Sequence, residues 1–167
     1  MSFDAFLQID GIKGDSTDDK HKEWIEILSY GHGISQPSGG AGSAQGTHSG
    51  GRADHSDFVV TKYVDSASPL LAQYCCTAKP IPNVKFELCR AMGEKTKFMT
   101  YHMKEVIVSS VSPAGSSGQN GDVTPTENVT LRYGEIHWEY VPTDPKGGGK
   151  TGAAIQAAWS TLQNKAL

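Results

Sequence analysis

Apolar side chains alternate with polar ones along most of this sequence, and no other feature constrains the fold as strongly. Phe3, Ala5, Leu7 and Ile9 alternate with polar residues, which is the pattern of a half-buried β-strand. Comparable β-rich runs occur at residues 57–64, 84–89, 98–111 and 128–141. Because runs joined by a short turn pair as hairpins, the sequence predicts a mostly-β, antiparallel fold.

The two longest predicted strands, 98–111 and 128–141, each change the face on which their apolar residues lie. The change falls near Lys104-Glu105 in the first strand and at Gly134-Glu135 in the second. One inserted residue, a β-bulge, restores a common face, and glycine in mid-strand is a frequent mark of a bulge. Long strands with bulges indicate an antiparallel sheet that curls into a β-barrel or a strongly bent sandwich.

Residues 24–34 are apolar at both parities, with Ile25 and Ile27 on one face and Leu28 and Tyr30 on the other. A strand with two apolar faces needs cover on both, so one face must meet the core and the other a further surface. The run therefore predicts more burial than one side of a sheet supplies.

A helical period replaces the strand pattern at residues 68–78. Ser68 is predicted as the N-cap, and Pro69 fits the first helical position. The apolar residues that follow share one helical face, namely Leu70, Leu71, Tyr74, Cys75 and Ala78. The Lys-Pro-Ile-Pro segment at 79–82 ends this pattern, so we expect one short helix of about three turns.

The most biased segment, residues 36–52, is rich in Gly, Ser and Ala and contains no large apolar side chain. Such a segment buries too little surface to offset the entropy of ordering it, so it is predicted to be a long, flexible, extended loop. Residues 142–152 are a further loop, and local propensity leaves the tail after it open between helix and strand. With 167 residues, the chain fits a single domain, 1–167.

Charge and composition argue against several classes of partner. The net charge of −3, from 15 basic and 18 acidic residues, gives no basic face for nucleic acid or acidic lipid. No run of about 18 apolar residues is present, which argues against membrane insertion. The first residues lack the basic and apolar regions of a secretory signal, and three cysteines do not make a disulfide framework. A reducing cytoplasm is therefore the expected compartment.

The segment 147–151, Gly-Gly-Gly-Lys-Thr, resembles the end of a phosphate-binding P-loop. The full motif requires a glycine at the position of Asp144, whose carboxylate would lie where phosphates should bind. The motif also requires a parallel βα unit, whereas these strands are predicted to form hairpins. The segment is therefore interpreted as a flexible linker.

The cysteines and histidines lack the spacing of catalytic or metal sites, since Cys75-Cys76 is not a C-x-x-C pair. One group of His and Asp side chains has neither i,i+4 nor H-x-H spacing, so solvated histidines are expected. This group consists of His32, His48, His55, Asp54 and Asp57. His102 and His137 are predicted on the outward polar face of a sheet, and no G-x-S-x-G elbow occurs. We expect no catalytic, metal-ligating or cofactor-binding residues and no cofactor.

Curled sheets leave strand edges whose backbone groups must be covered or paired. Pairing such edges with a neighbouring copy of the chain makes a ring, provided that the rotation between copies closes. The residues therefore indicate a protein that assembles with itself and is not an enzyme.

Four separated blocks of the sequence, in order, resemble one known family. They are residues 11–27 (GIKGDSTDDKHKEWIEI), 55–70 (HSDFVVTKYVDSASPL), 106–113 (VIVSSVSP) and 126–140 (TENVTLRYGEIHWEY). Together they resemble the haemolysin-coregulated protein (Hcp) family, the tube subunit of the bacterial type VI secretion system. The resemblance extends from residue 1 to about residue 141.

The resemblance implies a β-barrel-like fold with a short helix on one side, and it implies that the tail is a strand. It also implies a homohexameric ring with a wide pore, stacking of rings into a tube, and export from the cytoplasm with the tube. The implied partners are copies of the chain, small effector proteins in the lumen, and sheath and spike components of the machine. The extended loop 36–52 is expected to contact the next ring through Gln36, Ser38, Gly42, Gln45, His48 and Arg52.

Two other functions are compatible with the sequence. The same ring could serve mainly as a lumenal carrier for exported effectors. A nucleotide-binding enzyme that uses Lys150 and Thr151 is the third interpretation, and the incomplete P-loop weakens it.

Overall fold

The computed structural model describes residues 3–37, 51–91, 95–117, 124–144, 146 and 149–167. Within these residues the chain forms twelve β-strands and one α-helix, which confirms the mostly-β prediction with a single short helix. The elements are β1 (Phe3–Ile9), β2 (Ile25–Ile27), β3 (Ser29–Gly31), β4 (Ile34–Ser35), β5 (Asp54–His55), β6 (Phe58–Tyr63), α1 (Ser68–Thr77), β7 (Ile81–Arg90), β8 (Thr96–Ala114), β9 (Thr126–Arg132), β10 (Glu135–Tyr140), β11 (Ile155–Ser160) and β12 (Lys165–Ala166). The tail is a strand, as the family resemblance implied.

Ten strands form one branched antiparallel sheet whose two parts share β8. The larger part has the order β12-β11-β10-β8-β7-β1-β2, and the smaller part has the order β3-β6-β9-β8. β8 joins both parts because it is 19 residues long: its first half pairs with β7 and β10, and its second half pairs with β9. β4 and β5 pair separately as a two-stranded ribbon.

Hydrogen bonds between the described strands do not close the sheet into a barrel. β2 pairs with β1 in the larger part, whereas β3 pairs with β6 in the smaller part. Only Leu28 separates β2 from β3 along the chain. This segment therefore passes from the larger part of the sheet to the smaller part. The observed fold is the open form of the curled barrel or sandwich that the sequence predicts.

The core lies between the two parts of the sheet, where alternate residues of facing strands are buried. Leu7 and Phe86 come from the larger part, and Phe58, Val108 and Leu131 come from the smaller part; each is at most 1% exposed. Burial of an apolar side chain of this size contributes about 1.5–3 kcal/mol. The alternation that predicts the strands is therefore also the main source of stability.

The change of apolar face in the two longest predicted strands has two different causes. In β8, Glu105 has a φ of 51°, and the register with β9 shifts between Val108 and Ser110, a few residues beyond the predicted position near Lys104-Glu105. Residues 126–140 do not pass through a bulge at Gly134-Glu135, and that prediction is wrong. The chain instead breaks into β9 and β10, because β9 pairs with β6 whereas β10 pairs with β11 in the larger part. At the break, the Gly134 N–H donates to the carbonyl oxygens of Lys104 and Glu105 at 3.0 and 3.2 Å.

The apolar run 24–34 is only partly covered within a single copy of the chain. Ile25 and Ile27 of β2 are buried in the core, as predicted. Of the second set, Tyr30 packs against Phe86 of the core, whereas Leu28 and Ile34 stay 46% and 48% exposed. These two exposed side chains are available for contact with another molecule.

The helix α1 begins differently from the prediction. Ala67 is the N-cap, and Ser68 is the first helical residue, so the prediction of Ser68 as N-cap is wrong. The Ser68 hydroxyl donates to Glu127 Oε1 at 2.6 Å and accepts the Asp65 N–H at 3.0 Å. Because its side chain is used by these groups, it does not cap the helix. Leu71 anchors α1 in the core.

A buried charged cluster lies beneath the start of α1. Lys62 of β6 is fully buried, and its Nζ lies 2.5 Å from Glu127 Oε1 and 2.7 Å from Asp65 Oδ1. Glu127 is itself only 3% exposed. Charges at such depth persist in a fold only when they are paired and hydrogen-bonded, so these groups depend on one another.

His21 fastens the polar loop after β1 to the larger part of the sheet. Its Nδ1 lies 2.8 Å from Asp18 Oδ1, its Nε2 lies 2.9 Å from Glu87 Oε2, and its ring stacks on Phe6. Lys95 Nζ lies 2.6 Å from Asp18 Oδ2. This contact lowers the pKa of Asp18 to about 2.

Candidate functional site with two open sheet edges and a ribbon

The smaller part of the sheet has an open edge on each side. β3 pairs with β6 alone, and residues 107–114 of β8 pair with β9 alone. Within the described residues, no strand covers the outer side of either edge. Backbone N–H and C=O groups of these edges are therefore available to another strand wherever α1, which lies against β8, does not cover them.

The face of the smaller part that points away from the core is exposed and uncharged at its centre. Val59 and Tyr63 of β6 are 36% and 47% exposed. On the same face, the Thr61 hydroxyl donates to Asn128 Oδ1 at 2.7 Å and links β6 with β9. Small or polar side chains surround them, namely Ser29, Ser110, Ser112, Thr126 and Thr130. Towards one end, the same face carries Ile107 and the Arg132–Asp57 ion pair.

The β4–β5 ribbon supports the two ends of segment 36–52. At its base, the Ser56 hydroxyl accepts the Gly33 N–H at 2.8 Å and donates to the Gly33 carbonyl at 3.0 Å. Gln36 Nε2 donates to the carbonyl of Gly51, which brings the two ends together. Arg52 Nη2 donates to the Thr161 carbonyl at 2.6 Å and ties the ribbon to the turn after β11.

Two of the six residues predicted to contact the next ring are described, and both hold the ends of the segment. These two are Gln36 and Arg52, whose contacts lie within the same chain. The other four predicted residues, Ser38, Gly42, Gln45 and His48, lie outside the described residues. The ring contact of segment 36–52 stays a prediction.

One tyrosine hydroxyl of the body contacts side chains on both limbs of the ribbon. Tyr133 OH lies 2.6 Å from His32 Nε2 and 2.7 Å from His55 Nδ1. Both histidines are half-buried, so the prediction that they are solvated is wrong. Sequence spacing could not reveal this group, because Tyr133 is 101 and 78 residues away from the two histidines.

Burial affects the ionisation of all three groups at this contact. Loss of solvent lowers the pKa of His32 and of His55, and the neighbouring His55 lowers the pKa of His32 further. Burial raises the pKa of the Tyr133 hydroxyl, and the Asp57 carboxylate adds to that increase. The arrangement therefore favours neutral imidazoles and a neutral phenol.

A groove of about 950 Å³ runs along the base of the ribbon. The ribbon base forms one wall with Arg52 and His55, and the turn before β7 forms another with Pro80. Ile107 and Leu162, which are 37% and 65% exposed, add apolar surface to it. The groove adjoins the open edge of β8, because Ile107 opens the half of that strand that pairs with β9 alone.

The glycine-rich segment near the C-terminus does not have the structural context of a P-loop. Thr143 forms an antiparallel bridge with Lys150, and the Asp144 N–H donates to the Gly149 carbonyl at 2.8 Å. The next element after Thr151 is the strand β11, whereas a P-loop leads into a helix. Gly147 and Gly148 lie outside the described residues.

The cysteines have no arrangement that indicates redox or metal chemistry. Cys75 is half-buried, Cys76 is exposed, and all three thiols are free. Burial and the Glu87 carboxylate raise the pKa of the Cys89 thiol to about 11, which keeps it protonated. The described residues contain no group of three or more His, Cys, Asp or Glu side chains placed to hold a metal ion.

His102 and His137 face each other across β8 and β10 on the polar side of the larger part, with ring centroids 5.8 Å apart. His102 Nε2 lies 3.0 Å from Asn83 Oδ1. Their placement on a polar sheet face agrees with the sequence prediction.

Among the described residues, no helix has the length and apolar character needed to cross a membrane.

Residues 6–140 match the model of a protein family described as "Type VI secretion system effector, Hcp". The chain is also 35% identical over 165 residues to protein hcp1 of Pseudomonas aeruginosa strain PAO1, with 98% of each sequence covered. Both comparisons extend over nearly all of the secondary-structure elements described above.

Solved structures give the same result. One, described as the structure of a type six secretion system protein, has a TM-score of 0.91 at 35% identity, covering 99% of this chain and all of that one. The crystal structure of Hcp1 from Salmonella typhimurium has a TM-score of 0.80 at 34% identity, with both chains fully covered. The chain therefore belongs to the Hcp family of the type VI secretion system.

Proposed function

We propose that this chain is a ring-forming structural subunit of the type VI secretion tube and is exported with the tube. Family membership supports a type VI secretion tube protein. The observation that carries the ring is the pair of open edges on the smaller part of the sheet, β3 on one side and residues 107–114 of β8 on the other.

The strand directions fit head-to-tail pairing of copies. β3, β6, β9 and β8 are joined by three antiparallel pairings, so the two edge strands run in opposite directions. When a rotation places β3 of one copy beside β8 of the next, the strands meet antiparallel and their backbone groups gain partners. A head-to-tail contact of this kind generates a ring when the rotation closes.

The bulk of the molecule indicates which face lines the pore. The core, the anchor Leu71 of α1 and the larger part of the sheet all lie on one side of the smaller part. Because a ring has more space at its outer circumference, this bulk takes the outside and the exposed face takes the inside. Val59, Thr61 and Tyr63 then line the pore, with the hydroxyls and amides of neighbouring strands.

A pore wall that is uncharged at its centre supports the second function that the family resemblance implies, the carriage of small effector proteins. Hydroxyl and amide groups bind protein surfaces by hydrogen bonds without selecting one sign of charge.

We further infer that segment 36–52 contacts the next ring in a stack, and that sheath and spike components contact the assembled tube. Replacing Thr130 with lysine tests the carrier function: cargo protection should fall while the ring persists, and unchanged cargo stability would reject it.

Disulfide cross-linking tests the proposed edge pairing directly. Opposed residues in antiparallel strands have Cα atoms about 4.5–5.5 Å apart, which lies within the range that a disulfide spans. In a chain with Cys75 and Cys76 replaced by serine, Ser29→Cys is combined with Ser112→Cys. Both residues lie on the exposed face of their edge strands. Ser110→Cys and Ala114→Cys sample the neighbouring registers.

At least one of these combinations should give a reducible ladder of covalent multimers that ends at a closed ring. The matched control combines Ser29→Cys with Lys85→Cys, which lies on the larger part of the sheet, and should give no ladder. Light scattering of the unmodified protein should show a large symmetric oligomer. A 17.9 kDa monomer under all conditions, together with no ladder, would reject the proposal.

A further inference from the structure

Three separate segments of the chain meet at the Tyr133 hydroxyl. His32 lies on the limb that enters the ribbon from β3, and His55 is part of β5 on the returning limb. Tyr133 lies at the break between β9 and β10 and is 6% exposed. The two limbs of the ribbon thus share one side-chain oxygen of the body as a partner, and Arg52 adds a separate bond to the Thr161 carbonyl.

The number of protons on the two imidazoles decides whether this contact can form fully. A phenol has one O–H to donate and can accept from a second group. With both histidines neutral, the Tyr133 O–H donates to one ring nitrogen and accepts the N–H of the other. One added proton is accommodated, because the charged ring donates and the neutral ring accepts. With two charged rings no acceptor nitrogen faces the hydroxyl, so its proton loses its partner.

Nearby charges do not compensate for two charged imidazoles. Asp57 is paired with Arg132 at 3.2 Å, and Arg52 bonds to the Thr161 carbonyl. Within the described residues, no carboxylate forms a hydrogen bond or ion pair with either imidazole. The ionisable groups around the contact, taken from the ribbon, β3, β8 and β9, are Tyr30, Arg52, Asp54, Asp57, Tyr101, Glu105 and Arg132. The two histidine rings are themselves only 6.5 Å apart between centroids.

We propose that His32, His55 and Tyr133 form a proton-operated latch that holds the ribbon to the body at neutral pH and releases it when both histidines are protonated. The latch depends on geometry within one chain. Its consequence for the tube, a weakening of contacts made by segment 36–52 in acid, rests on the proposed function.

The sign of the pH effect follows from burial. Both histidines have a pKa below the ordinary value of 6.5. The unfolded or released form therefore binds protons more readily than the latched form, and protonation favours release. The contact is complete at neutral pH, and it is lost when the pH falls far enough below 6.5 for the second histidine to be protonated.

Hydrogen exchange of the intact protein at pH 7.5 and pH 5 tests the latch. Protection factors, corrected for the intrinsic effect of pH on exchange, should fall at least tenfold in the ribbon in acid. They should stay unchanged in β1 and β7. The double variant His32→Gln/His55→Gln keeps amide groups that can bond to Tyr133 but cannot be protonated, and its ribbon should show no such loss. The matched control, His137→Gln on the larger part of the sheet, should behave as the unmodified protein does.

Equal ribbon protection of the unmodified protein at both pH values would overturn the proposal. A loss that persists in the double variant would also overturn it. If the double variant does not fold, NMR titration of the unmodified protein decides: both imidazoles should titrate below pH 6.5, and titration at or above that value refutes the latch. The ring proposal is tested by different measurements. If it fails, the particle mass will be that of a small species and the β3 and β8 edges will lack protection, whatever the ribbon does.

Discussion

Replacing Lys62 with methionine should destabilise the protein strongly, although the side chain is of similar length and more apolar. The Lys62 ammonium is fully buried and bonds to Glu127, Asp65, the Tyr63 carbonyl and the Ser68 hydroxyl. Methionine can fill the space but cannot donate a hydrogen bond. Among the described residues, the Glu127 carboxylate, 3% exposed, would keep only the Ser68 hydroxyl as a donor at 2.6 Å.

The expected loss is set by the charge left behind in the core. Removal of one partner from a buried ion pair costs about 3–5 kcal/mol, because the remaining charge is uncompensated. For a domain of this size, that loss corresponds to a melting temperature lower by roughly 6–20 °C. The double variant Lys62→Met/Glu127→Gln removes the unpaired charge, so it should be clearly more stable than Lys62→Met alone.

Urea unfolding at equal protein concentration measures the effect, since self-association also contributes to apparent stability. Lys85→Met is the matched control: Lys85 is exposed on β7, so the same substitution should change the free energy of unfolding by no more than about 0.5 kcal/mol. A loss below about 1 kcal/mol for Lys62→Met would refute the reasoning. So would a double variant no more stable than the single one.

Further substitutions test other parts of the fold. Gly14→Ala should cost about 1–3 kcal/mol in urea unfolding, because the added Cβ overlaps the Trp24 carbonyl; Gly31→Ala, with open space at its Cβ, should be nearly neutral, and equal losses would contradict this. Deleting residues 39–51 should preserve the circular dichroism spectrum and soluble yield but reduce ring stacking seen by electron microscopy; insoluble protein would count against it. The pKa of Asp18 is about 2, against an ordinary 3.8. Its ionised form therefore stabilises the fold at pH values above 3.8, and this contribution is lost as the pH falls towards 2. Asp18→Asn should therefore flatten the acid limb of stability against pH, whereas Asp19→Asn, at an exposed neighbour, should not.

Strands and their core-facing residues could be predicted because local alternation reports burial on one face of a sheet. Leu7, Phe86 and Leu131 lie in the core at the parity that the pattern predicts. The same pattern failed at Gly134, where it predicted a bulge. Apolar residues switch from odd to even positions both where a strand contains a bulge and where the chain passes from one part of a sheet to another. The sequence looks the same in the two cases.

The polar groups that matter most could not be found from spacing. Lys62 occupies a core parity in a strand, and its partner Glu127 is 65 residues away. The bond from Tyr133 to His32 spans 101 residues. Such contacts form only when the sheet curls, so no local sequence pattern predicts them.

The sequence alone determined the strand pattern, the single helix, the family and the expectation of a self-assembling protein, because alternation and motif order are properties of the linear chain. Tertiary structure alone decided that β8 is shared by both parts of the sheet, that β3 and β8 carry the open edges, and that one tyrosine contacts both limbs of the ribbon. The physical reason is that pairing partners and buried charges are chosen by long-range packing, which a one-dimensional period does not encode.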